Sequence, residues 1–320
     1  MTGERNFRDS KKHLCFKPFA NSWVALHPQP KGIIQFVGSF FIFGSLPTVF
    51  YNPLLRSLYN QGYTIIAYPC SVIPPIIWRL RLVDHWQASI RLLTEEYALK
   101  QELVAYILKQ GDEDLLELYL NQSNYFWLGH SLGCKYISIL EIISSNWENI
   151  EDHLVRCGFK PEDIEIIKAE VKTLESERIA SNNRLNRFLS NKGKQTSFTS
   201  KRGIIDQPSI FIAPEIYGTR NRSGSTIPGL DIFPTGEETL CLINKTTDYF
   251  NLTALIEFER DEISYDDVKA LKAELETRTD RLIYQKFPGC DLKIKQLSSI
   301  FSHLQPTGKV VKPLANCIDK

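Results

Sequence analysis

The sequence lacks a surplus of charge of either sign. Its 320 residues include 38 Lys and Arg against 37 Asp and Glu, which leaves a formal net charge of +1. Proteins that attract nucleic acid electrostatically need a clear excess of basic side chains. We therefore expect no nucleic-acid partner. The composition, with 43% hydrophobic and 23% charged residues, is typical of a globular protein with a sizeable core.

Closely spaced cysteine pairs are also missing. The seven cysteines lie far apart along the chain, at positions 15, 70, 134, 157, 241, 290 and 317. This spacing argues against a disulfide framework and against a zinc site, and it favours a reducing compartment. Residues 1–12 are rich in charge and precede no apolar stretch, so they do not resemble a secretory signal. We therefore expect a cytoplasmic protein.

No apolar run is long enough to suggest a membrane span. Residues 32–55 carry no charge, but Gly38, Pro47 and the pair Asn52-Pro53 interrupt them. A spanning helix needs about 20 apolar residues without such breaks. Central parallel strands, which are covered on both faces, also read as continuous apolar runs. We therefore predict a buried strand, a loop and a helix here, and no transmembrane segment.

Short β-rich runs alternate with helical segments along the chain. Helical patterns fill residues 84–120, with a break at Gly111, and begin again at Leu132. The patterns Thr235-x-x-Glu238 and Ser264-x-x-Asp267 each mark the start of a later helix. The alternation predicts a mostly parallel central sheet with helices on both faces. Strands are predicted at residues 23–27, 32–37, 63–68, 125–128, 209–213, 252–259 and 291–297.

A charged, amphipathic helical stretch interrupts this pattern from about residue 146 to about residue 202. We interpret it as a helical cap inserted into the core. The predicted organisation is an N-terminal extension (1–20), a first part of the core (21–145), the cap insertion (146–205) and a second part of the core (206–320).

A serine flanked by glycines carries the chemistry. The segment Gly129-His130-Ser131-Leu132-Gly133 follows four apolar residues and precedes an apolar-periodic helix. In this strand-turn-helix setting the pattern Gly-x-Ser-x-Gly presents a nucleophilic serine, because the sharp turn leaves room only for small neighbours. We therefore predict an α/β-hydrolase fold with Ser131 as the nucleophile. The alternative is a tight turn with an inert serine.

A serine hydroxyl needs a base to accept its proton and a carboxylate to orient that base. In this fold both groups follow the serine in sequence. His303 is the histidine that follows the last predicted strand, so we predict it as the base. For the acid we choose Asp261, at the end of the strand 252–259, with Glu215 after the strand 209–213 as the alternative.

Backbone amides must stabilise the negative charge that develops on the substrate oxygen. The amide of Leu132, directly after the nucleophile at a helix start, is the first predicted donor. The second donor is expected in the loop after the strand 32–37, at Ser39 or Phe40.

Several segments within about residues 20–310 form a specific combination: Phe36-Val37-Gly38-Ser39-Phe40, Gly62-Tyr63-Thr64-Ile65-Ile66-Ala67-Tyr68-Pro69, Val83-Asp84-His85-Trp86, Gly129-His130-Ser131-Leu132-Gly133-Cys134-Lys135, Ile212-Ala213-Pro214-Glu215-Ile216, Phe258-Glu259-Arg260-Asp261-Glu262-Ile263 and His303-Leu304-Gln305-Pro306. This combination resembles the α/β-hydrolase-like family of cyanobacteria and plastid-bearing eukaryotes called domain of unknown function 1350. The resemblance implies that Ser131, Asp261 and His303 form a triad. It supplies no substrate, because the activity of the family is not established.

Two functions follow as hypotheses. The first is attack by Ser131 on an ester, thioester or amide of a small-molecule acyl substrate, which needs no metal or organic cofactor. The second is a catalytically inactive hydrolase-fold protein that binds a ligand or a partner. The apolar segment 73–81, with Arg79 and Arg81, allows a lipid-like substrate and peripheral contact with a membrane, although a buried crossing is the simpler interpretation.

Overall fold

The computed structural model describes residues 14–39, 41–70, 82–194, 196–216, 231–246, 250, 252–278 and 282–288. Its strands are β1 (Lys17–Phe19), β2 (Ser22–Ala25), β3 (Gly32–Val37), β4 (Tyr63–Tyr68), β5 (Leu82–Asp84), β6 (Tyr125–His130), β7 (Ser209–Ile212), β8 (Asp231–Phe233), β9 (Thr253–Phe258) and β10 (Ile283–Phe287). Its helices are α1 (Phe41–Ser45), α2 (Pro47–Phe50), α3 (Asn52–Asn60), α4 (His85–Gln110), α5 (Glu113–Leu120), α6 (Leu132–Ile143), α7 (Trp147–Arg156), α8 (Pro161–Asn191), α9 (Gly236–Lys245) and α10 (Tyr265–Glu276).

Eight strands form one sheet in the order β1-β2-β4-β3-β6-β7-β9-β10. β2 is antiparallel to β1 and to β4, whereas the six strands from β4 to β10 in this order run parallel. β5 and β8 form a separate parallel pair. This topology confirms the predicted mostly parallel sheet. It also brings the carboxyl ends of β3, β6, β7 and β9 to one edge, where ligands bind in open α/β sheets.

The central strands are buried throughout because both faces of the sheet are covered. Every residue of β3, β4 and β6 is buried. Within β3, Ile33 and Val37 pack into the core on one face, and Ile34 and Phe36 pack into the core on the other. Side chains of α4 and α6 fill the first core and those of α3 fill the second. The prediction of helices on both faces is therefore confirmed.

A buried ion pair lies within the first of these cores. Lys100 Nζ donates to Glu96 Oε1 at 2.6 Å, and the two side chains are 3% and 0% exposed. The amides of Gln35 and Gln207 donate to the same oxygen at 3.3 and 3.2 Å. The ammonium also lies 4.4 Å from the ring centroid of Tyr125. Because neither charge contacts bulk water, each depends on its partners.

The predicted cap insertion contains α7 and α8. α8 packs along α4, where Gln101 Nε2 donates to Ser181 Oγ at 2.5 Å and Thr94 Oγ1 donates to Glu177 Oε2 at 2.9 Å. Apolar side chains of α8, such as Val171, join the same core as α4. The helices of this stretch thus lie against the core, while the division into domains remains a prediction.

A disulfide joins Cys157, which follows α7, to Cys241 of α9. The argument from cysteine spacing, which spoke against a disulfide framework, did not anticipate this bond. Sequence spacing failed because the two residues are 84 positions apart and meet only through the packing of α7 against α9. The expected cytoplasmic location consequently loses the argument drawn from the cysteines.

Other local predictions have mixed outcomes. Gly111, with a φ of 74°, ends α4 at the predicted break, and Thr235 and Glu238 form the predicted capping box. α10 begins directly after Ser264, as the second pattern predicted, but the Ser264 side chain makes no cap hydrogen bond. The strand predicted at 291–297 lies outside the described residues, and the prediction missed β10. Among the described helices, none combines the length and the apolar character that crossing a bilayer requires.

Candidate functional site

Ser131 occupies a strained turn between β6 and α6. Its backbone angles are φ 54° and ψ −122°, a combination that residues other than glycine rarely adopt. Two hydrogen bonds fix the turn: Ser131 N donates to Ile212 O at 3.0 Å, and Cys134 N donates to Ser131 O at 3.0 Å. Such strain persists only where surrounding contacts enforce it, and it is common at active sites.

The two glycines of the motif are required by close approach. A Cβ on Gly129 would lie 2.9 Å from the backbone nitrogen of Cys134. A Cβ on Gly133 would overlap the carbonyl oxygen of Val37 and lie 2.8 Å from that of Gly38. The start of α6 therefore packs directly on the end of β3. This contact explains why the sequence pattern contains glycine at both positions.

Glu215 is the acidic residue that contacts the serine. Ser131 Oγ donates to Glu215 Oε2 at 2.8 Å, and Glu215 N donates to Ser131 O at 3.2 Å. Glu215 follows β7 through Ala213, whose φ of 44° turns the chain toward the serine. The structure thus brings the predicted nucleophile and the alternative acid into direct contact.

Asp261 lies at the end of β9, as predicted, but its carboxylate serves a local turn. Oδ1 accepts hydrogen bonds from Ile263 N at 3.0 Å and Ser264 N at 3.2 Å, and Oδ2 accepts one from Ser264 Oγ. The side chain is buried, with 7% exposed. It is also the charge that most affects His130. The sequence could not reveal that the first turn of α10 would compete for this carboxylate.

His130, which precedes Ser131 in the turn, contacts Tyr51. The His130 Nδ1 and the Tyr51 hydroxyl are 2.9 Å apart, and the same hydroxyl accepts a hydrogen bond from Ser39 N at 2.9 Å. Burial lowers the pKa of His130 to about 4, although the charge of Asp261 opposes this shift. His130 is therefore neutral near pH 7.

The predicted oxyanion donors lie around the same turn. Leu132 is the first residue of α6, where backbone amides have no partner within the helix. Ser39 lies after the end of β3, beside the serine turn, and its amide donates a hydrogen bond to the Tyr51 hydroxyl. Phe40 and the predicted base His303 lie outside the described residues. The structure thus brings Ser131, Leu132, Ser39, Glu215 and Asp261 to one edge of the sheet.

Sequence reasoning missed three residues of this region. Tyr51 links the β3 loop to His130, and Asp267 Oδ2 accepts a hydrogen bond from Ile216 N at 2.6 Å. Lys135 is fully buried in α6 and donates to Pro234 O at 2.7 Å, and burial lowers its pKa to about 7. A charged residue four positions after the nucleophile, among the apolar residues at the start of α6, was the available signal for Lys135.

The sheet order and the strained serine turn define a protein of the α/β-hydrolase class of folds. Residues 16–150 match the family model DUF1350, described as a protein of unknown function. The matched part includes β3, β6 and the serine turn, which confirms the predicted resemblance there. Among curated proteins, none matches the chain at a significant level.

Solved structures with a similar course of the chain include three bacterial, archaeal and metagenomic proteins. An esterase of Pyrobaculum calidifontis has 12% identity and a TM-score of 0.43, with 88% of this chain and 78% of that chain covered. The protein TT1662 of Thermus thermophilus has 12% identity and a TM-score of 0.48, with coverage of 91% and 98%. The carboxylesterase EstE1 from a metagenomic library has 11% identity and a TM-score of 0.41, with coverage of 93% and 88%.

Proposed function

We propose that the protein is a serine hydrolase that acts on an ester, thioester or amide through Ser131. One observation carries the proposal: Ser131 is held in a strained turn at the carboxyl edge of a parallel sheet, against the loop that supplies the second oxyanion donor in this fold. Such strain is common in active sites, where it contributes to function.

In the proposed reaction, Ser131 Oγ bonds to the carbonyl carbon of the substrate while its proton passes to the imidazole of His303. The imidazolium then gives this proton to the leaving group, and the carbon–leaving group bond breaks to leave an acyl ester on Ser131. Water, deprotonated by the same imidazole, hydrolyses that ester. The amides of Leu132 and of Ser39 or Phe40 would bind the developing oxyanion. Ser39 N can bind the oxyanion only after it releases the hydrogen bond that it donates to the Tyr51 hydroxyl.

His130 is a poor candidate for the base, which supports the assignment of His303. Its Nδ1 is engaged by the Tyr51 hydroxyl, and burial keeps its pKa near 4. A general base works best with a pKa near the operating pH.

The contacts favour Glu215 over Asp261 as the carboxylate of the site, because Glu215 faces the hydroxyl while Asp261 holds a local turn. Glu215→Gln and Asp261→Asn separate the two. We expect Glu215→Gln to slow the reaction at Ser131 at least tenfold with little loss of stability. We expect Asp261→Asn chiefly to lower the stability of the protein. The reverse outcome would restore Asp261 as the acid.

Exposed apolar side chains beside the site support a lipid-like acyl substrate. Phe43, Leu46, Val49 and Phe50, on α1 and α2 after the β3 loop, are all about half exposed. The rings of Phe43 and Phe50 contact each other with centroids 4.8 Å apart. An apolar surface next to the nucleophile suits an acyl chain, and it would also permit contact with a membrane surface.

A fluorophosphonate probe, which labels activated serines, tests the proposal. We expect labelling of the folded protein at Ser131, identified by mass spectrometry, and its loss in Ser131→Ala and His303→Ala. His153→Ala, which changes a histidine of α7, is the matched control and is expected to keep the labelling. No labelling of the folded wild-type protein would contradict the proposal.

One observation favours a non-catalytic hydrolase-fold protein instead: the Ser131 hydroxyl donates directly to a carboxylate. If folded wild-type protein resists the probe and Glu215→Gln does not change this, the ligand-binding alternative gains support. A panel of acyl esters of increasing chain length would then show binding without turnover.

A further inference from the structure

The segment that carries Glu215 is fixed from two sides. Glu215 N donates to Ser131 O at 3.2 Å, and the next amide, Ile216 N, donates to Asp267 Oδ2 at 2.6 Å. Just before them, Ala213 has a φ of 44°, which is rare for a residue with a side chain. A strained segment of this kind holds its shape only when its neighbours over-determine it. The two hydrogen bonds do so here.

Asp267 reaches this segment from another part of the fold. It is the third residue of α10 and is 4% exposed. Its sequence position suggested a capping role within α10, yet its carboxylate binds the amide of Ile216, 51 positions away. Hydrogen bonds to an ionised acceptor are stronger and shorter than those between neutral groups. Asp267 is thus well suited to fix the backbone next to Glu215.

The charge of Asp267 also acts on a buried lysine of α6. Lys135 is fully buried, and among the carboxylates around its Nζ the one with the largest electrostatic effect is Asp267. The charged or titratable groups that interact electrostatically with Lys135 are Asp267, Glu238, Glu215, Glu237 and His85.

We propose that Asp267 is a positioning residue: it fixes the amide of Ile216 and thereby holds the Glu215 carboxylate against the Ser131 hydroxyl. This inference rests on the proposed function, in which Ser131 is the nucleophile. Asp267 itself touches neither the hydroxyl nor the substrate. Its loss is therefore expected to slow the reaction of Ser131 while leaving the affinity for the reagent unchanged.

The test compares variants of two neighbouring aspartates in the first turn of α10. Asp267→Ala removes the acceptor, Asp267→Asn keeps an acceptor oxygen in place, and Asp267→Glu keeps the charge but displaces it by one methylene. Asp266→Ala changes an exposed carboxylate of the same turn and is the control. For each variant, the limiting rate of fluorophosphonate labelling and the apparent affinity for the probe are measured separately, together with the melting temperature.

We expect at least a tenfold lower limiting rate for Asp267→Ala and Asp267→Glu, since misplacing a catalytic group by about 1 Å costs up to 100-fold. We expect Asp267→Asn to recover much of the rate, Asp266→Ala to match wild type, and the affinity for the probe to stay constant. A wild-type limiting rate in folded Asp267→Ala overturns the proposal. If that variant does not fold, a wild-type rate in Asp267→Glu overturns it equally.

Hydrogen exchange separates this inference from the proposed function. The amide of Ile216 is followed by mass spectrometry in a peptide that covers residues 213–216. We expect faster exchange in Asp267→Ala than in wild type or in Asp266→Ala, whether or not Ser131 reacts with the probe. Unlabelled wild-type protein would contradict the proposed function alone. Unchanged exchange in Asp267→Ala would overturn the positioning role.

Discussion

Gly133→Ala tests how closely the serine turn packs on β3. The added Cβ would overlap the Val37 carbonyl oxygen and lie 2.8 Å from that of Gly38, whereas real Cβ atoms essentially never come within 3.0 Å of such neighbours. Both neighbours are backbone, so either β3 or α6 must move. Overpacking of this kind costs about 3 kcal/mol at the upper end of its usual range. The better helix propensity of alanine returns about 1 kcal/mol.

We therefore expect Gly133→Ala to lower the free energy of unfolding by about 2 kcal/mol, measured by urea titration. We also expect labelling of Ser131 to slow about tenfold or more, because the turn and the Ser39 loop shift apart. Gly193→Ala is the control: its φ of 70° makes alanine strained, by about 1–2 kcal/mol, but no atom lies within 4 Å of the new Cβ. It is expected to lose stability without slowing the labelling. Wild-type stability and labelling in Gly133→Ala would refute the close contact.

Three further changes test other parts of the fold. Reducing the bond between Cys157 and Cys241, 84 positions apart, is expected to lower the free energy of unfolding by about 3–5 kcal/mol in urea titrations with a thiol reductant; an unchanged midpoint would contradict this. Glu96→Ala strands the buried Lys100 ammonium and is expected to cost about 3–5 kcal/mol, whereas changing both residues to methionine is expected to cost less. Burial raises the pKa of Glu141 to about 8, so the carboxyl group binds its proton more tightly in the folded state than in the unfolded state. The stability that this proton contributes is present below about pH 5 and is lost as the pH rises to about 8. Glu141→Gln is expected to remove that part of the fall in the urea midpoint, and an identical pH profile would argue against the shift.

The sequence predicted those features that depend on neighbouring residues. The continuous apolar runs of β3, β4 and β6 indicated strands buried on both faces, and all three lie in the centre of the sheet. The glycines of the serine turn were equally informative, because the backbone at positions 129 and 133 lies too close to neighbouring backbone atoms for any residue with a Cβ. Patterns of this kind reflect burial or contacts between residues close in sequence, and both can be recognised from a short stretch of the chain.

The sequence failed where a side chain had two possible partners. Asp267 fits the spacing of a capping box with Ser264, yet its carboxylate binds Ile216, and the amide of Ser264 is held by Asp261 instead. Nothing within α10 reveals that the segment after β7 passes close enough to compete for Asp267. The bond between Cys157 and Cys241 was missed for the same reason. Such choices are decided by tertiary packing, which local spacing does not encode.

The two candidate acids differ in what they would lose by acting on an imidazole. The oxygens of Asp261 already accept from two amides and one hydroxyl. Turning the carboxylate would leave the amide and the hydroxyl of Ser264 buried without this acceptor, at about 1–3 kcal/mol each. Glu215 is held through its backbone, because its amide donates to Ser131 O and the next amide, Ile216 N, donates to Asp267 Oδ2. Turning its carboxylate would break the hydrogen bond from Ser131 Oγ but neither of these backbone hydrogen bonds. The carboxylates at this edge of the sheet thus have different roles: Asp261 stabilises the start of α10, and Asp267 fixes the segment that follows β7. Glu215 is left to face the hydroxyl.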